Sequence, residues 1–138
     1  MRNVFEHVKK LSAEIENLEV DDLKRELDAE GDVLLLDLRE IQERVDMGTI
    51  PGAIHVPRGM LEFWADPASP YARDYFAEDK RTIVFCAGGG RSVYAVKALQ
   101  EMGFSDVAHL AGGFTSWKDA GEPIEDAAST SRWVRREQ

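Results

Sequence analysis

The apolar positions of the chain fall into short patterns separated by turn-forming residues. VLLLDL, Val33 to Leu38, and RTIVFC, Arg81 to Cys86, are continuous apolar runs of strand length, the pattern of strands covered on both faces. TIPGAIHVP, Thr49 to Pro57, predicts a turn at Pro51-Gly52 and then a short strand, and Val107 to Leu110 predicts a last one. Between these runs the spacing becomes helical. Val4, Phe5, Val8, Leu11 and Ile15 suit a short helix packed on the domain. Val20, Leu23 and Leu27 recur at helical spacing, with Asp21 and Asp22 at the positive end of the dipole and Gly31 available to end the helix. Leu38 to Asp46 predicts a helix, and so does Arg91 to Met102, where Ala95, Val96, Leu99 and Met102 share a face and Gly103 stops the run. Phe114 to Ala120 supplies a last helical turn or two. Strands alternating with helices predict an α/β domain with a largely parallel sheet and helices on both faces. Such sheets place their sites where strand ends enter helices.

Composition narrows the class. A chain of 138 residues, 43% hydrophobic and 31% charged, has the size and balance of one globular domain. Its net charge of -9 opposes general nucleic-acid binding, which needs a basic surface. No apolar run reaches membrane-spanning length, and MRNVFEHVKKLSAEIENL is interrupted by charges, unlike a secretory signal. A single cysteine cannot form an internal disulfide, and His7, His55 and His109 lack zinc-ligand spacing. The expectation is a cytoplasmic protein with no metal, no nucleic acid and no membrane among its partners.

That cysteine lies in VFCAGGGRS, Val84 to Ser92, followed by three consecutive glycines. Consecutive glycines cost backbone entropy and bury no side chain, so something must require bare backbone there. A strand, a short glycine loop and a helix aim several backbone N–H groups at one point, and the helix adds its unpaired N–H groups and dipole. Glycine permits the positive φ angles that turn amides inward into an anion-binding nest, and such a field favours a thiolate. A lone cysteine at a strand end is, on residue type alone, more often inert, and GGG can be an ordinary turn. The following Arg-Ser and the helical pattern reverse that balance. CAGGGRS lacks both the dinucleotide G-x-G-x-x-G spacing and the lysine of a Walker loop.

CAGGGRS resembles the C-x-x-G-x-R-S loop of the rhodanese-like sulfurtransferases. LLLDLRE resembles that family's strand ending in D-x-R, GTIPGAIHVP its G-H-I-P-G-A segment, and AGGFTSWKDAGEPI its closing G-G-x-x-x-W-x-x-x-G-x-P. The resemblance implies a three-layer domain, a five-stranded and mainly parallel sheet with helices on both faces, over about residues 17–124. Residues 1–16 would be a helical extension packed on it and 125–138 a tail. It further implies that Cys86 is the nucleophile, holding sulfane sulfur as a persulfide. Ala87, Gly88, Gly89, Gly90, Arg91 and Ser92 would form the substrate cradle. Asp37 and Arg39 would give structural support, as a buried ion-pair or hydrogen-bond network, and Trp117 would pack. The partners implied are a small sulfur donor such as thiosulfate and a thiophilic acceptor, cyanide or a thiol, which could be a protein thiol. No cofactor is implied. Three departures stand out: Ala87 replaces the basic residue many active members carry after the cysteine, leaving Arg91 as the nearby cation. Thr49 replaces the histidine of G-H-I-P-G-A, and the stretch from Asp37 to Gly48 is one residue longer.

Two other readings stay open, a persulfide carrier or interaction module with little turnover, and a cysteine phosphatase or arsenate reductase of the same architecture. Between the third and fourth strands, Phe63, Trp64, Tyr71, Tyr75 and Phe76 concentrate aromatic surface. A cover over one sheet face is the favoured reading, with a lid over the Cys86 mouth or an oligomer contact as alternatives. Trp133 lies among arginines in the tail.

Overall fold

The computed structural model describes residues 1–29 and 31–127. Its five strands are β1 (Glu16–Leu18), β2 (Val33–Asp37), β3 (Ile54–His55), β4 (Arg81–Phe85) and β5 (Val107–Leu110). They form one wholly parallel sheet in the order β1-β5-β4-β2-β3. The helices are α1 (Val4–Ser12), α2 (Val20–Asp28), α3 (Ile41–Met47), α4 (Leu61–Ala65), α5 (Gly90–Met102) and α6 (Gly113–Asp119). This is the expected α/β architecture. No helix among the described residues is long and apolar enough to cross a membrane.

Successive residues of a strand face opposite sides, and both sides here are dry. Leu34 and Leu36 of β2 and Val84 of β4 pack with Leu61 and Ala65 of α4 and with Ala95, Val96 and Leu99 of α5. Leu35, Ile83 and Phe85 turn the other way, onto Leu23 of α2 and Phe114 and Trp117 of α6. Each fully buried leucine or phenylalanine is worth about 1.5–3 kcal/mol relative to exposure, which is why the strands read as unbroken apolar runs.

Two stretches differ from the periodic reading. The apolar positions up to Ile15 do not make one helix: α1 stops at Ser12 and the chain enters the edge strand β1. Three residues are too few to carry a two-residue period, and only Leu18 of the three is buried. That strand forms because Glu16, Asn17 and Leu18 find register with Ala108, His109 and Leu110. The aromatic segment is a short 3-10 turn at Arg58–Met60, then α4, then turns. Trp64, Tyr75 and Phe76 pack against the α5 side of the core, with Phe76 edge-on to Phe104 at 6.1 Å between centroids. It is a cover over one sheet face. At the other end Thr49 and Glu125 exchange two backbone hydrogen bonds of 2.9 Å, so the chain is still tied to the domain there. Trp133 lies outside the described residues.

The carboxyl ends of the strands are tied together by a buried carboxylate. Asp37 Oδ1 accepts from Arg39 Nε (3.0 Å) and the Arg39 amide (3.1 Å), and Oδ2 accepts from Arg39 Nη2 (2.9 Å), Arg44 Nε (3.0 Å) and the Thr49 hydroxyl (2.8 Å). Arg39 also donates to the Gly48 carbonyl at 2.7 Å, and its guanidinium lies 4.1 Å from the Phe114 ring centroid. Burial pushes the Asp37 carboxyl up, but the hydrogen bonds and charge of Arg39, with Thr49, outweigh it and hold the group below its ordinary value. Asp37→Asn keeps the shape and leaves two buried guanidinium groups short of counter-charge. The expected loss is about 3–5 kcal/mol of stability, read as a fall in the urea midpoint.

Candidate active site

β4 is the middle strand, and its last residue, Phe85, hands the chain to Cys86. Cys86 is 1% exposed, and its Sγ sits at the floor of a cavity of about 640 Å³. The Gly89 amide donates to Sγ at 3.1 Å. The three glycines are not alike. Only Gly89 has a positive φ, 109°, and a Cβ there would collide with the Ala111 carbonyl. Gly88 and Gly90 have open space around them. The bare backbone is therefore required at one position, where the chain turns from the strand into α5 and swings an amide back onto the sulfur. The Cys86 side is closed by α6: the Phe114 and Thr115 amides donate to the Cys86 and Ala87 carbonyls at 2.8 and 3.0 Å. Gly113, at φ 62°, lets them approach, since a Cβ would lie 2.6 Å from the Cys86 oxygen.

Ser92, on the first turn of α5, places Oγ 3.6 Å from the sulfur. Behind it runs a chain of side chains from three elements. Ser92 Oγ is 2.8 Å from His109 Nδ1 on β5, and His109 Nε2 is 2.7 Å from Asn17 Oδ1 on β1. The Asn17 amide donates its two hydrogens to the Ser12 and Ile15 carbonyls at 2.8 and 2.9 Å, so its oxygen must be the atom facing His109. A carbonyl oxygen only accepts. Nε2 therefore carries the imidazole hydrogen, Nδ1 offers its lone pair, and the Ser92 hydroxyl donates to it. The Gly89 carbonyl, 3.2 Å away, is the longer alternative for that hydrogen. With its hydrogen on His109, Ser92 presents oxygen lone pairs to the Cys86 thiol. Neither His109 nor Asn17 stood out in the sequence, because their neighbours lie 17 and 92 positions from His109.

Arg91 is placed at the mouth but is already engaged. It grips Glu43 of α3 in a bidentate pair at 2.8 and 2.9 Å, and this pairing holds the Glu43 carboxyl down at about 2. Glu43 Oε2 also accepts from the Glu40 amide at 2.8 Å, so one carboxylate both caps α3 and neutralises the loop cation. Glu40 at the N-cap and Glu43 three residues on, in the first turn of α3, have the capping-box spacing that could have marked it. Ala87 supplies no second charge. Among the described residues, no group of three or more His, Cys, Asp or Glu is placed to hold a metal ion.

The rhodanese-like domain family model matches residues 19–120. Among curated proteins, YtwF of Bacillus subtilis (strain 168), which carries a sulfurtransferase name, is 31% identical over 110 residues, covering 80% of this chain and 97% of its own. YrkF of the same organism, which carries a sulfur-carrier name, is 26% identical over 85% of this chain, and the match spans 58% of YrkF. Among solved structures, RPA3614 of Rhodopseudomonas palustris CGA009 superposes with a TM-score of 0.82 at 43% identity, over 91% of this chain and 96% of that one. It is described as a protein of unknown function and possible tyrosine phosphatase.

Burial holds His109 neutral and lowers its pKa from 6.5 to about 4. The unfolded chain takes up this proton near 6.5, the folded chain only near 4. Stability from this group is thus complete above about pH 6.5 and is lost as pH falls toward 4, by about 3 kcal/mol in all. In His109→Asn, unfolding free energies measured between pH 7 and 4 should fall less steeply than in the unmodified protein. Identical slopes would mean that His109 titrates alike in the folded and unfolded chain.

Proposed function

Because the chain belongs to the rhodanese-like domain family, we propose that it is a sulfurtransferase acting through a Cys86 persulfide, with thiosulfate or a similar sulfane donor and cyanide or a thiol as acceptor. The observation that carries this reading is the setting of the sulfur: Cys86 Sγ lies at the floor of an open cavity, 3.1 Å from the Gly89 amide, at the end of the central strand. The sulfurtransferase-named relatives support a role in sulfur transfer generally.

In the first step the Cys86 thiolate attacks the sulfane sulfur of thiosulfate. A Cys86–sulfur bond forms, the sulfur–sulfur bond of the donor breaks, and sulfite departs with the electron pair. In the second, cyanide attacks the outer sulfur, thiocyanate leaves, and Cys86 returns as thiolate. The amides of Gly89 and of the α5 N-terminus stabilise negative sulfur in both states. Ala87 to Ser92 form the cradle, while Asp37 and Arg39 hold the neighbouring loops. The chemistry asks for no organic cofactor, because the thiolate is itself the nucleophile.

The description of RPA3614 makes phosphoryl transfer the second reading. Loop length argues against it. Four residues separate Cys86 from Arg91, one fewer than in C-x-x-x-x-x-R, the related phosphatase signature, and the smaller ring suits one sulfur better than a phosphate with three peripheral oxygens. A phosphatase also needs its arginine free to grip those oxygens, and Arg91 is bidentate on Glu43.

Incubation with thiosulfate should add one sulfur atom to the protein by intact mass, reversibly with thiols, and Cys86→Ser should abolish both adduct and thiocyanate formation. Hydrolysis of an aryl phosphate through Cys86, with no sulfur taken from any donor, would replace this reading with the phosphatase.

A further inference from the structure

The mouth of the Cys86 cavity is built by an element outside the matched domain. One wall is the nucleophile loop, Gly88 to Arg91; the facing wall is α1, through Val4, Phe5 and Val8, with Val93 and Tyr94 of α5 beside them. The aromatic segment 57–76 contributes nothing to it. α1 is firmly placed. The Asn3 side chain accepts from the Phe5 and Glu6 amides at 3.0 and 3.1 Å, and His7 Nδ1 lies 2.7 Å from the Tyr94 hydroxyl, pinning the helix to α5. Yet α1 has no fully buried residue, and Phe5 is 80% exposed. Apolar side chains held at the rim of a cavity, with no core to bury them, mark a binding surface rather than packing.

The charges agree with the shape. Of the described lining residues Arg91 is the charged one, and its guanidinium is committed to Glu43. That cation lies at the loop end beside Cys86, where the donor would enter, whereas the α1 end, lined by Val4, Phe5, Val8 and Ser12, offers a carboxylate-rich acceptor nothing to neutralise it. An uncharged hydrocarbon body finds Phe5, Val8, Val93 and Tyr94. The cavity, about 640 Å³, lies within the range of small-molecule sites, far larger than cyanide or thiosulfate needs.

From this we infer that the acceptor is a small thiol carried on a compact apolar body, alkyl or aryl, seated between α1 and α5. The inference deepens the sulfur-transfer reading and rests on it. The acceptor's thiol sulfur attacks the outer sulfur of the Cys86 persulfide. The bond between the two persulfide sulfurs breaks, Cys86 leaves as thiolate, and the acceptor departs as a hydropersulfide that keeps the thiol's proton. Phe5 and Val8 do not touch the reacting atoms. They set which thiol is held there.

The test has two arms. In the first, protein loaded with sulfur from thiosulfate is offered 2-phenylethanethiol, 2-mercaptoethanol and glutathione at equal thiolate concentration. The aryl thiol should react with kcat/KM about tenfold or more above the other two. In Phe5→Ser combined with Val8→Ser, the ratio of its kcat/KM to that for cyanide should fall about tenfold, while Phe5→Leu should keep most of it. Circular dichroism checks that each variant is folded. In the second arm, binding of 2-phenylethanethiol to Cys86→Ser is measured by calorimetry; it should saturate, and the double serine change should weaken it about tenfold. No preference among the thiols, a ratio untouched by the serine changes, or no saturable binding would overturn the apolar seat. Saturable binding that the serine changes weaken, with no sulfur ever loaded on the unmodified protein, would uphold the seat and overturn sulfur transfer.

Discussion

The buried Asp37 carboxylate is the constraint on which the rest of the site depends. A charge taken out of water must be matched by groups that stay where they are, and Asp37 is matched by two guanidinium groups, a hydroxyl and an amide. These partners come from three stretches: Arg39 from the turn after β2, Arg44 from helix α3, and Thr49 from the loop before β3. Satisfying one carboxylate therefore positions three connections at the carboxyl end of the sheet. Arg39 carries the effect further, because its guanidinium lies against Phe114 of α6, and the Phe114 amide is bonded to the Cys86 carbonyl. The Leu38 amide is bonded to the Phe85 carbonyl one residue earlier. The Cys86 loop is thus fixed from both sides by groups that never meet the sulfur.

Around the sulfur itself, a backbone amide and a hydroxyl stand beside the charge of Arg91. One amide points at Sγ, Ser92 stands behind it, and the orientation of Ser92 is set by His109 and Asn17 in turn. Among the described residues lining the cavity the one cation, Arg91, is paired with Glu43. Such a site suits a reaction in which a single negative charge moves between two sulfur atoms. Transfer of a multiply charged group would need free cations. The same balance explains why a chain with net charge -9 can still stabilise an anion locally: hydrogen-bond donors fixed within a few ångströms act where distant surface charges are screened.

On the reading proposed above, reaction type and acceptor choice fall to different parts of the chain. The strand ends and the loop after β4 carry Cys86 and belong to the matched domain. Helix α1 lies before it and packs on α5 and the cavity mouth.

The sequence by itself determined much of this. Doubly covered strands must be apolar throughout, so β2 and β4 were legible as runs, and the helices as periodic stripes. The turn after Cys86 was legible because a strand entering a helix through such a loop needs at least one glycine, which proved to be Gly89. Asp37 and Arg39 were legible through their place in a motif. What could not be read had no local signature. β1 is three residues long and exists because β5 offers it a partner. That Gly89 alone needs to be glycine depends on Ala111, across the loop. Arg91 reads as a free cation until α3 brings Glu43 to it, and His109 reads as a stray imidazole until Asn17 fixes its tautomer and Ser92 uses it. The helical pattern of Val4, Phe5 and Val8 was visible, but not what it faces. Periodicity records how a segment meets the nearest core, whereas hydrogen bonds and cavities join residues far apart in the chain, and only the folded arrangement chooses those partners.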